Sequence, residues 1–370
     1  MSTSTSSKLP PPLANINIPE SSSTVDVSVI DTNTTVHLNP ELFWRPKVDG
    51  FTGLHAPIYC FLVSNKRTGE NVLFDLGTRP DWRNYAPKTV SLISATTIVT
   101  PGTDVSTMLD EAVERGQSNV RSNDISAVIW SHNHFDHIGD VTRFPRTTAL
   151  VIGPNVRDAT WPGWPTRADA MVLDADIEGR EAREIAFDSG LKVGRFDAFD
   201  YFGDGSFYLL DGPGHAIGHL CALARTTGAH EDGGSSFIFM GADACHHVGV
   251  LRPSAYHALP SSEKLQHLLG ENSGLCPGLL LDSCLSSKSD PFFTVAAPSP
   301  LFPDKDASFD TVSKIQELDG LESVFVVMAH DSSIRETIPL FPKKINSWKM
   351  SGVKGDTRWA FCRDLHNPQT

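Results

Sequence analysis

Alternating apolar and polar side chains begin at Val25-Asp-Val-Ser-Val-Ile30, which predicts a strand. Pro57-Ile-Tyr-Cys-Phe-Leu-Val63 and Asn71-Val-Leu-Phe-Asp-Leu-Gly77 predict two more. The polar and glycine-bearing turn from Lys66 to Glu70 joins them as a hairpin. Val105, Met108, Leu109, Ala112 and Val113 follow helical spacing, with Thr103 or Asp104 as cap and Gly116 as stop. Further apolar runs predict strands at Ile125–Trp130, Ala149–Gly153, Phe207–Asp211, Phe237–Met240 and Val324–Ala329. Helices are expected near Ser262 to Leu269 and Ser308 to Leu318. No unit repeats at a short fixed period.

Several of these strands stop at a side chain able to bind a metal. Ile125–Trp130 runs into His132-Asn-His134-Phe-Asp136-His137, four such groups within six residues. On a strand end His132 and His134 point the same way, because side chains alternate with period two. If a helix starts at Phe135, Asp136 and His137 swing to the other side, which suits two metal ions, one for each pair. Phe207–Asp211 leads to His215, Phe237–Met240 to Asp243, and Val324–Ala329 to His330. Loops held by a rigid scaffold are where functional groups concentrate. Strand ends converging from two sheets would bring all seven groups to one rim. Asp75, near the end of its strand, reads equally as a carboxylate supporting that site or as an acidic turn residue.

The ordered set His132-x-His134-x-Asp136-His137, His215, Asp243, His330 resembles that of the metallo-β-lactamase superfamily. The resemblance spans about residues 25 to 335. It implies an α/β fold, a four-layer αβ/βα sandwich with the site at one edge. It further implies that His132, His134 and His215 hold a first metal, and Asp136, His137 and His330 a second, with Asp243 as the bridge. Neutral imidazoles and carboxylates suit two Zn²⁺, with Mn²⁺ or Fe²⁺ where availability decides. A metal with an open position lowers the pKa of bound water to about 7, and Asp136 is placed to pass the proton to the leaving group.

Departures from the family narrow the function. Enzymes that destroy β-lactam antibiotics with two zincs usually carry Cys where Asp243 stands. Diiron oxygen reductases carry Glu where His134 stands. Nucleic-acid-processing members insert a large domain between the positions of Asp243 and His330, and the interval here is too short for one. The expectation is a hydrolase opening a small lactam or lactone, similar to fungal lactamases and lactonases. Detoxification of benzoxazolinone-type compounds is its expected role. A polyketide thioesterase, a mononuclear iron thiol oxygenase and a noncatalytic binding protein on the same fold are the alternatives. His246 stands where the lactonases place a Tyr that hydrogen-bonds the substrate oxyanion. It is read equally as a catalytic donor or as a tie within its loop. His219 reads as a support and not a ligand.

Charge and composition add limits. Asp and Glu number 44 against 31 Lys and Arg, a formal net charge of −13. Nucleic acid and anionic membrane are therefore poor partners, and a small-molecule substrate is expected. No apolar run reaches transmembrane length and the N-terminus lacks a secretory core, so a cytoplasmic protein is expected. Cys60, Cys221, Cys245, Cys276, Cys284 and Cys362 are scattered without a Cys-x-x-Cys pair and read as reduced. Ser, Thr and Pro make residues 1–24 a disordered or wrapping arm. Residues 25–345 are the expected domain, and 346–370 a C-terminal tail without clear signal. The Pro- and Trp-rich loop at 154–170 reads evenly as a lid, or pocket wall, and as a packed surface loop.

Overall fold

The computed structural model describes Leu13 and residues 16–48, 50–261, 263, 265 and 289–364. Its strands are β1 (Val25–Leu38), β2 (Trp44–Arg45), β3 (Leu54–Asn65), β4 (Asn71–Phe74), β5 (Val99–Thr100), β6 (Ile125–Ile129) and β7 (Ala149–Ile152). They continue with β8 (Ala182–Glu184), β9 (Lys192–Val193), β10 (Phe196–Asp200), β11 (Phe207–Asp211), β12 (Leu220–Thr227), β13 (Ser236–Met240), β14 (Thr294–Val295) and β15 (Val324–Val327). One sheet has seven strands in the order β5-β1-β3-β4-β6-β7-β8, and a second has six in the order β15-β13-β12-β11-β10-β9. The expected hairpin is β3–β4, paired antiparallel from Phe61–Phe74 to Ser64–Asn71.

The alternation seen in the sequence decides which face goes where. In β6, Ala127 and Ile129 point into the layer between the sheets, where they join Leu209, Ala222, Ile238 and Val327 of the second sheet. Val128, with Trp130 just beyond the strand, points outward under the helices Pro87–Thr96 and Val105–Glu114, through Ile93 and Leu109. The outer face of the second sheet, through Phe196, Leu223 and Phe239, is covered by Val312, Ile315 and Leu318 of the helix Lys305–Asp319. Helix, sheet, sheet and helix stack as the expected αβ/βα sandwich.

Strand direction sets where the chemistry gathers. In the second sheet β12 runs antiparallel to both β11 and β13, and β13 is parallel to β15. Hence β11, β13 and β15 end at the same edge. In the first sheet β4 and β6 are parallel and also end together. A hydrogen bond from Leu220 N to Ser131 O, 2.8 Å, ties the end of β6 to the second sheet.

Two elements differ from expectation. Strand β1 continues to Leu38 through a register shift between Asp31 and Thr35. The polar run there hides the strand, because Asp31 folds onto Asn33 N at 2.8 Å and receives Arg335 from far along the chain. Residues 346–364 are part of the packing. Trp348 is buried against Phe325 with ring centroids 5.6 Å apart, and Phe361 and Cys362 are buried too. Lys354 donates to the carbonyls of Asp319 and Val324, each at 2.7 Å, at the end of the helix Lys305–Asp319. Short turns without a period carry no sequence signal, so tertiary contact alone orders them. Residues 16–24 run along the domain, with Ile16 and Ile18 against the core. The expected helix near Ser262 to Leu269 falls largely outside the described residues, as do Cys276 and Cys284. Cys60, Cys221, Cys245 and Cys362 are free and buried.

Trp348→Ala is expected to cost about 3–5 kcal/mol, the range for deleting a buried Trp. Met350→Ala, two residues on and 89% exposed, should stay within about 0.5 kcal/mol of wild type. Denaturant midpoints of the two variants check this, and equal midpoints would show that the segment does not contribute to the core.

Candidate metal centre

Seven side chains meet where the strand ends converge. His132, His134, His215 and Asp243 form one group, and Asp136, His137, Asp243 and His330 form another. Within each, the potential ligand atoms lie within 4.8 Å of one another. The chain turns into the helix Phe135–Ile138 after His134, and that turn separates the first pair of ligands from the second. Asp243 stands between the groups. Its Oδ1 lies 3.1 Å from His137 Nε2 and 3.2 Å from His330 Nε2. Its Oδ2 lies 3.5 Å from His215 Nε2 and 3.7 Å from His132 Nε2.

Surrounding residues aim these imidazoles. His137 Nδ1 is 2.8 Å from Asp75 Oδ2, while Asp75 Oδ1 accepts from Ser131 N at 2.7 Å. His330 Nδ1 donates to Pro57 O at 2.9 Å. With Nδ1 of each ring so occupied, Nε2 is the nitrogen left facing Asp243. Carboxylate and carbonyl partners of this kind fix the tautomer of a metal-binding histidine. The backbone is held as tightly. Leu76 N donates to His137 O at 2.9 Å and Gly139 N to Gly77 O at 2.8 Å. Gly139 adopts φ +50°, and a Cβ there would meet Leu76 Cβ at 2.4 Å, so only glycine fits.

The donor set passes a test for divalent cations. His215 Nε2 lies 3.2 Å from His132 Nε2 and 3.0 Å from His134 Nδ1. Those separations bring three imidazole nitrogens together as ligands of a shared cation would be. Asp243 Oδ1, His137 Nε2 and His330 Nε2 are buried without a hydrogen-bond partner, a costly state for polar atoms. Burial, reinforced by neighbouring histidines, holds His132 and His215 well below the ordinary imidazole range, so their lone pairs are available. Burial also opposes charge on His137, but Asp243 and Asp75 more than offset it and raise that imidazole well above its usual value. Burial would push Asp243 up, yet His137, His246 and His330 hold it well below the carboxylate range. A buried carboxylate among imidazoles is a donor set suited to a divalent metal.

The leftover histidines separate. His246 Nε2 is 2.9 Å from Asp243 Oδ2, and its ring stacks on His330 with centroids 5.2 Å apart. His219 links two loops, with Nδ1 2.8 Å from Gly212 O and Nε2 accepting from Asp243 N at 3.2 Å. His247 turns away into a box of Trp44, Phe51, Phe293 and Phe361, accepts from Gly249 N, and is pushed by burial down to about 3. In the 154–170 loop, Trp161 is buried on Trp130 and donates to Leu173 O. That loop is packed, and only Met171 beyond it reaches the site.

The cluster floors a cavity of about 500 Å³. Its walls come from 36–45, 92–97 and 299–301, segments that no contiguous pattern marks. A larger polar cavity of about 910 Å³ lies elsewhere, where Lys66 and Lys344 both pair with Asp26. No metal-type cluster touches it among the described residues.

A model described as the metallo-beta-lactamase superfamily matches residues 55–225. The metallo-hydrolase mfmC of Annulohypoxylon moriforme is 61% identical over 356 residues, covering 96% of this chain and 91% of that protein. The gamma-lactamase FDB1 of Fusarium pseudograminearum is 39% identical, covering 97% and 86%. The cytochrome P450 monooxygenase mpaDE' of Penicillium brevicompactum is 46% identical over 97% of this chain, which spans only 39% of that protein. Among solved structures, B. thuringiensis AiiA, with N-decanoyl-L-homoserine at its active site, superposes with a TM-score of 0.53. It shares 15% identity and covers 88% of this chain and 100% of that one, a likeness of fold. Among the described residues no helix is long and apolar enough to cross a membrane.

Asp75→Asn is expected to weaken divalent-metal binding at the His137 side about 10- to 100-fold, because the amide no longer fixes the imidazole tautomer. Competition with a chelator on the folded variant measures this. Two affinities equal to wild type would leave Asp75 as a turn residue only.

Proposed function

The chain belongs to the metallo-β-lactamase superfamily, and on that premise we propose that it is a binuclear metal-dependent hydrolase opening a small cyclic amide or ester. The observation that carries this is the single buried carboxylate, Asp243, shared between two histidine groups at the floor of an apolar cavity. The gamma-lactamase and metallo-hydrolase names of its long relatives support lactam or lactone opening. We assign His132, His134 and His215 to one cation, and Asp136, His137 and His330 to the other, with Asp243 serving both. Two Zn²⁺ fit these donors, as would Mn²⁺ or Fe²⁺. Held there, divalent cations supply Lewis acidity and activation of water near neutral pH.

The protein's own groups do the rest. Asp136 lines the cavity, with its Oδ2 3.5 Å from His330 Nε2. It takes the proton of the attacking water and returns it to the nitrogen or oxygen that leaves as the ring C–N or C–O bond breaks. His246 also lines the cavity. Its Nε2, 2.9 Å from Asp243 Oδ2, is the nitrogen that would donate to a substrate oxygen as negative charge develops there. The apolar walls exclude bulk water and strengthen both interactions.

Turnover of a panel comprising γ-lactones, a benzoxazolinone lactam and thioesters tests the reaction class. Metal-dependent opening of a lactone or lactam is expected. Turnover of thioesters alone, or of nothing in the panel with two metals bound, contradicts the reading. Asp136→Asn should lower kcat roughly 10²- to 10⁴-fold, the usual worth of a general acid–base group. A loss under tenfold with metal content intact would place proton transfer elsewhere. His246→Ala should lower kcat and kcat/KM together about 10²-fold. If His246 only ties its loop, the variant will melt earlier with kcat per folded molecule unchanged.

A further inference from the structure

The cavity above the cluster is larger and more apolar than ring opening needs. Leu38 and Phe43 line one side, Leu92, Phe135 and Met171 another, and Leu301 closes part of the top. Phe43 also packs on His246 with ring centroids 4.2 Å apart, so the apolar wall reaches the floor of the site. Of the charged groups at the mouth, Glu41 has a cationic partner and Arg45 meets backbone carbonyls. Glu41 pairs with Lys47 at 2.7 Å, and Arg45 Nη1 donates to Trp44 O at 2.8 Å. Leu92 is 41% exposed at the rim, a large hydrophobic side chain facing an open mouth.

Volume limits what such a cavity is for. Water takes about 30 Å³ per molecule in the liquid, so about 500 Å³ has room for roughly 15 to 20 non-hydrogen atoms. A bare fused bicycle of the benzoxazolinone kind fills little more than half. The remainder is bounded mainly by apolar side chains, with His37, Thr96, Thr97 and Ser299 among them. An ionised substituent lying along those walls would lose its hydration, and only at the mouth, beside Arg45, would it meet a cationic side chain.

We infer that the preferred substrate is a cyclic ester or amide bearing an uncharged apolar arm several carbons long, and that residues 36–45, 92–97 and 299–301 select for that arm. This rests on the hydrolase reading above and names its substrate class. The arm lies against the apolar walls while the scissile carbonyl sits over Asp243 and Asp136. Binding energy from a part of the substrate remote from the reaction then positions the carbonyl.

A series of γ-butyrolactones with methyl, butyl and octyl arms, and an octanoate-terminated arm of matching length, tests this on the metal-loaded protein. Each methylene buried should raise kcat/KM up to about threefold to fourfold, so butyl should exceed methyl by at least tenfold. The carboxylate-terminated arm should fall at least tenfold below octyl. Leu301→Trp should flatten the dependence on arm length, while Met350→Trp, far out in solvent, should leave it intact. Calorimetric binding of the ring-opened hydroxy acids gives the same ranking without turnover, so the test survives if Leu301→Trp misfolds. Absence of lactone hydrolysis with affinity still rising along the arm series would overturn the hydrolase reading and leave the apolar site. Equal kcat/KM and equal affinity across the series, or a carboxylate-terminated arm as good as octyl, would overturn the inference.

Discussion

Asp243 carries a negative charge with almost no exposure to solvent. The residue is 1% exposed, and an isolated carboxylate in such surroundings would be neutralised or expelled. It is kept by five imidazoles whose nitrogens lie between 2.9 and 3.7 Å from its two oxygens. The reverse also holds, since Nε2 of His137 and of His330 is buried with no hydrogen-bond partner. Neither side of this arrangement is stable alone, and positive charge supplied between them resolves both. The backbone concedes strain to make it. Ala242, just before Asp243, sits at φ +43°, a left-handed conformation costing a side-chain-bearing residue about 1–2 kcal/mol.

The sandwich is what allows the convergence. Parallel β4 and β6 in one sheet, and β11, β13 and β15 in the other, deliver their ends to one edge. Side chains far apart in the chain then need only short loops to meet. The supports come from the same strand ends, Asp75 after β4 and Pro57 within β3, so that rigid elements aim the ligands. His219 couples the loop of His215 to that of Asp243 through its two ring nitrogens. Its neutrality follows from burial, which takes it down to about 4.

Much of this was legible in the sequence for a physical reason. The ligands cluster locally at His132–His137 and otherwise sit just past apolar runs, so strand periodicity alone locates them. The apolar runs of β3, β6, β11, β13 and β15 are buried on both faces and stand out. What was not legible depends on contacts between distant segments. The second half of β1 looks like a polar loop until Arg335 meets Asp31. The tail through Trp348 and Phe361 has no period, and only Phe325 and the core behind it give it a place. The 154–170 loop has the composition of a lid, yet Trp161 stacked on Trp130 fastens it down. The cavity walls are gathered from a short helix, a helix end and a loop, and no run of residues announces them. His246 was visible as a departure from the lactonases, but its contact with Asp243 was not.

The claim on which the rest turns is that one carboxylate serves two cations. Metal analysis of the purified protein, paired with a crystal structure recorded at the metal absorption edge, addresses it directly. Two divalent ions per chain are expected, one among His132, His134 and His215 and one among Asp136, His137 and His330, with Asp243 touching both. A single ion per chain at saturating metal, with all seven side chains intact and the second group empty, would contradict it.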